Sequence, residues 1–63
     1  MNIVQKKLVE AYATLVMGNK MSLEDGTELE AVPVSRVIGG VEYPIRSEVE
    51  LEIARRRDAV QNP

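Results

Sequence analysis

Arg46 and the run Arg55-Arg56-Arg57 are the residues of this 63-residue chain whose type and spacing best suit a chemical task, contact with nucleic-acid phosphates. Three adjacent arginines on a helix point around most of its circumference, and the acids one turn earlier repel a phosphate backbone. Tyr12 and Tyr43 are the only aromatic residues, so a stacking platform for single strands is missing. The plainer reading of the run is a solvated helix end whose bases match the helix dipole.

Other chemistries find less. The acidic pairs Glu24 with Asp25 and Glu28 with Glu30 fall at a turn and on the polar face of a strand, whereas acid–base catalysis needs carboxylates separated in pKa by a cleft. Thr14, Ser22, Ser35 and Ser47 have no histidine to activate them. Gly39-Gly40 lacks both the glycine spacing and the following Lys-Ser/Thr of a phosphate loop. With neither Cys nor His in the chain, disulfides are excluded and a structural zinc site has no ordinary ligands. The expectation is a non-enzymatic protein without cofactor or metal.

Ten acidic and eight basic side chains give a net charge of −2, spread along the chain, so the balance implies no polyanion or membrane-surface partner. Apolar runs such as Leu15-Val16-Met17 fall far short of the roughly 20 residues a membrane span needs. Lys6 and Lys7 are followed by Glu10 and Tyr12, which interrupt any signal-peptide core, and a cytoplasmic location is expected. A chain this short buries only about 60% of its unfolded surface. Without disulfides or metal, association with copies of itself or with a larger protein is the remaining way to compensate.

The elements that position these residues are readable from patterning. Asn2 can cap a helix with Val4, Leu8, Ala11, Tyr12 and Leu15 in one stripe, ended by Gly18-Asn19. Val9, Ala13 and Val16 widen that stripe into a second contact surface, or simply into the broad face of a small protein. A three-residue loop Glu24-Asp25-Gly26 predicts an antiparallel hairpin with Met21 opposite Leu29 and Lys20 opposite Glu30. A two-residue Gly39-Gly40 turn predicts a second, with Ile38 opposite Val41, Arg36 opposite Tyr43 and Val34 opposite Ile45. A bulge or bend near Pro33 would reconcile Val32 and Val34 with the preceding strand. Ser47-Glu48-Val49-Glu50 reads as a capping box opening a second helix, with acids early and Arg55 to Arg57 late and Glu52 pairing Arg56. Its apolar line is Val49, Ile53 and Val60. The expected fold is therefore α+β: an N-terminal helix, a three- or four-stranded antiparallel hairpin sheet and a C-terminal helix. It forms one domain over residues 1–63, frayed at 61–63.

The string Val9-Glu10-Ala11-Tyr12-Ala13-Thr14-Leu15-Val16-Met17-Gly18-Asn19-Lys20, with Ser22-Leu23-Glu24-Asp25, Val32-Pro33 and Ile45-Arg46-Ser47-Glu48-Val49-Glu50, resembles short phage and prophage proteins of the XkdX-like type. The likeness covers about half of the chain in pieces, since Gly26 to Ala31 and Arg36 to Pro44 are insertions relative to it. It implies a small protein encoded near phage tail genes with no established activity, and a rival local reading in which Ser22 caps a short helical turn.

Two functions follow. One is an interaction or assembly protein that self-associates through an apolar helix face or a sheet edge, with Val9, Tyr12, Leu15, Val16, Met17 and Tyr43 as interface candidates. Met17 serves there as an adaptable contact or as core filler. The alternative is a small dimeric DNA-binding regulator using the hairpin or the helix that bears Arg55, Arg56 and Arg57, with Arg46. Its Arg36-to-Glu50 segment is loosely similar to swapped-hairpin transcription factors, and the negative net charge opposes it.

Overall fold

The computed structural model describes residues 2–61. Its elements run α1 (Ile3–Met17), β1 (Met21–Ser22), β2 (Glu30–Ala31), β3 (Arg36–Ile38), β4 (Val41–Tyr43) and α2 (Ile45–Gln61), an α+β chain. There are four strands, but they form two separate pairs rather than one hairpin sheet.

At the start of α1, Asn2 accepts the Gln5 N–H at 2.8 Å while the Gln5 side chain accepts the Asn2 N–H at 3.1 Å, a reciprocal cap. At its end Lys20 N–H donates to the Leu15 carbonyl at 2.8 Å and Asn19 N–H to that of Val16 at 3.1 Å. This is a Schellman closure. Asn19, not Gly18, takes the left-handed conformation, with φ 59°.

The Glu24-Asp25-Gly26 turn exists, with Gly26 at φ 82°, yet no antiparallel hairpin follows it. β1 and β2 run parallel, with Met21 beside Glu30 and Ser22 beside Ala31. Three local bonds turn the chain differently. Ser22 Oγ accepts the Glu24 N–H at 3.0 Å. Thr27 Oγ1 accepts the Leu29 N–H and donates to the Leu29 carbonyl, both at 3.2 Å. Val32 N–H then reaches the Ser22 carbonyl at 2.8 Å, which draws the fully buried Val32 side chain inward. Residues 20–32 thus form neither the hairpin nor a helical turn. Ser22 caps a bend from within a strand.

The β3–β4 hairpin has the expected register, Arg36 opposite Tyr43, Val37 opposite Glu42 and Ile38 opposite Val41. Both turn glycines have positive φ, 61° at Gly39 and 79° at Gly40, which a two-residue primed turn requires. Open space surrounds each Cβ position, so the penalty of a side chain there is conformational. Gly39→Val is expected to lower stability by about 1–3 kcal/mol, read as a fall in the urea midpoint; an unchanged midpoint would reject the turn.

Val34 does not extend this hairpin to Ile45. It is exposed, and Ile45 belongs to α2. α2 opens two residues before the Ser47–Glu50 box, both of whose side chains remain exposed. A long-range bond marks the start, the Val34 carbonyl accepting the Arg46 N–H at 3.3 Å, and the first helical turn closes locally as the Pro44 carbonyl accepts the Glu48 N–H at 3.4 Å. The helix also runs on to Gln61, so its last turn contains no base and Arg55 to Arg57 do not match its C-terminal dipole. Of the expected fraying, residues 62–63 lie outside the described residues.

The core is small: Val9 and Ala13 from α1, Val32, and Ile45, Val49 and Ile53 from α2. Leu8, Tyr12, Val16, Met21, Leu23, Ile38 and Tyr43 pack around it. The buried line on α1 therefore passes through Val9 and Ala13. Val4, Ala11 and Leu15, expected in the central stripe, are exposed, and so is Val60 on α2.

Candidate functional site

Turning α1 toward α2 through Val9 and Ala13 leaves Val4, Leu8 and Ala11 on the flank of the helix, at spacings that share one face. The β3–β4 hairpin approaches that flank. Together Val4, Lys7, Leu8 and Ala11 of α1 and Arg36, Val37 and Ile38 of β3 line an open groove of about 560 Å³. Leu8 and Ile38 form a half-buried floor that rests on the core. Val4, 60% exposed, and Val37, 71% exposed, stand on its walls. Its cations are Lys7 and Arg36. Arg36 Nη1 donates to the Tyr12 hydroxyl at 3.4 Å, a bond that holds the guanidinium between hairpin and helix.

A second, smaller hollow of about 200 Å³ lies between the helices, lined by Lys6, Val9, Glu10, Glu48, Glu52 and Arg55. Of its charged residues, Glu52 is already paired, with Arg55 Nη1 at 2.9 Å and Arg56 Nε at 2.7 Å. Among the described residues no cluster of acids is placed to hold a metal ion.

The arginines are deployed structurally. Arg46 Nε and Nη2 donate to the Val32 carbonyl at 3.0 and 2.7 Å, and Nη2 pairs with Asp25 at 3.1 Å. Arg56, besides Glu52, donates to Thr14 Oγ1 at 3.0 Å and to the Glu10 carbonyl at 3.2 Å, bolting α2 to α1. Arg55 bonds Glu52 in its own helix, and Arg57 is exposed. Arg46 and Arg57 stand about 16 Å apart along the helix axis, so the four form no single patch.

Of the interface candidates, Val9 is withdrawn into the core and is closed to a partner of the folded protomer. Tyr12, Val16 and Tyr43 are half-buried against that core, and Leu15 and Met17 are exposed. Burial, with the Glu48 carboxylate adding to it, raises the Tyr43 phenol above its ordinary pKa. Two of them meet the groove's frame at Arg36, Tyr12 through its hydroxyl and Tyr43 as the ladder partner of Arg36. The residues that line the groove were not among the candidates. Their signal was present in the Val4, Leu8, Ala11 spacing, which reads equally as core until the helix orientation is known.

No helix among the described residues is long and apolar enough to cross a membrane. No family model, curated protein or solved structure matches this chain, so the XkdX-like resemblance rests on its sequence fragments alone.

Proposed function

We propose that this is a small non-enzymatic interaction protein that self-assembles, and that the groove between α1 and β3 is the contact surface. The observation that carries the reading is an apolar groove floored by Leu8 and Ile38, which pack on the core, and left open in the protomer. Its surroundings support it. The chain exposes 4551 Å², against about 4,000 Å² for a compact monomer of its 7.0 kDa mass. Its radius of gyration is 12.1 Å, against about 10.6 Å for a compact domain of this length. A two-stranded ribbon is marginal alone, and covering its β3 side would stabilise it. The XkdX-like resemblance, which implies a small protein encoded near phage tail genes, is compatible with such a role and assigns no activity of its own.

Light scattering on a sizing column, at micromolar and tenfold lower concentration, tests this. The expected mass exceeds the 7.0 kDa protomer. Val4→Asp with Ala11→Glu should return it to the protomer mass while leaving the helix intact. Both sites are exposed, and an acid in the first turn suits the helix dipole. A wild-type chain that runs as a protomer throughout would overturn the proposal.

A further inference from the structure

Resting on that reading, we infer that the occupant of the groove is the acidic loop between β1 and β2 of a second copy, seated through Leu29. One stretch of the chain is wholly acidic. From Met21 to Ser35 it carries Glu24, Asp25, Glu28 and Glu30 and no base, whereas the charged residues lining the groove are Lys7 and Arg36. Asp25 is taken by Arg46. Glu24, Glu28 and Glu30 are exposed and stand outside the ion pairs of the described residues.

Leu29 lies between two of these acids and is 41% exposed. It is also held in place, because Thr27 Oγ1 bonds both its N–H and its carbonyl. Glu28-Leu29-Glu30 is thus a preformed apolar knob flanked by carboxylates, and the groove is an apolar hole flanked by cations. Like partners of opposite sign steer encounter and fix register, and a preformed knob loses little entropy on docking. No residue of the loop lines the groove of its own protomer, so the two surfaces lie apart and must meet between copies. Each copy offers one knob and one hole, so the assembly closes as a two-fold dimer that exchanges both contacts reciprocally, closes as a larger ring or grows as a filament.

The test is a mixing experiment. The groove variant Val4→Asp/Ala11→Glu and the knob variant Leu29→Asp should each run at protomer mass, because each lacks one half of the contact. Mixed in equal amounts they should form a capped heterodimer of twice the 7.0 kDa protomer mass, since one supplies an intact knob and the other an intact groove. A Leu29→Asp chain that associates within twofold of wild type, while the groove variant does not associate, would overturn the knob and leave groove-mediated assembly standing. A wild-type protomer at every concentration overturns both. Charge exchange gives an independent reading. Glu28→Lys/Glu30→Lys should weaken association more than tenfold, and adding Lys7→Glu/Arg36→Glu should restore it; no restoration rejects the pairing.

Discussion

Ile45→Ala is expected to leave much of the chain unfolded at 25 °C. Ile45 is 0% exposed and sits where the β3–β4 hairpin hands over to α2, within the cluster of Val9, Ala13, Val32, Val49 and Ile53. Truncating a buried isoleucine to alanine costs about 2–5 kcal/mol, because the cavity adds to the lost transfer energy. A domain of this length has only about 3–9 kcal/mol to lose, and a core of six buried residues among those described places it toward the lower end. Far-UV circular dichroism with a urea titration measures the effect. Val60→Ala, at an exposed position of the same helix, should leave the midpoint unmoved. Equal midpoints for wild type and Ile45→Ala would mean that the core lies elsewhere.

Arg46→Met should lower stability by about 2–3 kcal/mol, and Asp25→Asn by less than about 1 kcal/mol. The two residues form one ion pair, but their surroundings differ: the Arg46 side chain is 19% exposed and that of Asp25 77%. What Arg46 mainly satisfies is the Val32 carbonyl, held by two of its N–H groups. Removing the guanidinium leaves that acceptor beside the core without its charged donor. The carboxylate partner is solvated, and its pairing is worth little. Comparable losses for the two variants would identify the ion pair, rather than the carbonyl, as the anchor of the β1–β2 loop.

Arg46 also marks the limit of what local patterning reveals. The register of the β3–β4 hairpin was legible because Gly39-Gly40 admits positive φ at both positions and sets the three pairs next to the turn, whereas the expected pair of Val34 with Ile45 was lost to the start of α2. The cap at Asn2 and the stop at Gly18-Asn19 were legible for the same reason: each is completed by atoms within a few residues. The Glu24-Asp25-Gly26 turn was equally local. The direction of the strand after it was not, since it follows from Arg46 holding Val32 and Asp25 across the fold. The Ser47 box failed in the same way. A carbonyl from Val34 reached the helix start first, and a side-chain cap two residues later had no free helix end to serve.

The groove belongs to the second kind. Val4, Leu8 and Ala11 announce an apolar helix face whatever the fold, and sequence alone left two readings of the breadth of that face, a second contact surface or the broad face of a small protein. Which part of it goes inside is decided by rotation of the helix about its axis. That rotation is set when Val9 and Ala13 meet Val49 and Ile53 and when Arg56 crosses from α2 to Thr14 and the Glu10 carbonyl. Sequence likewise shows four acids and no base from Met21 to Ser35. Only the tertiary structure decided that Leu29 stands outward among the acids and that Lys7 and Arg36 frame one groove. Periodicity specifies a face, and long-range packing chooses the neighbour that the face meets.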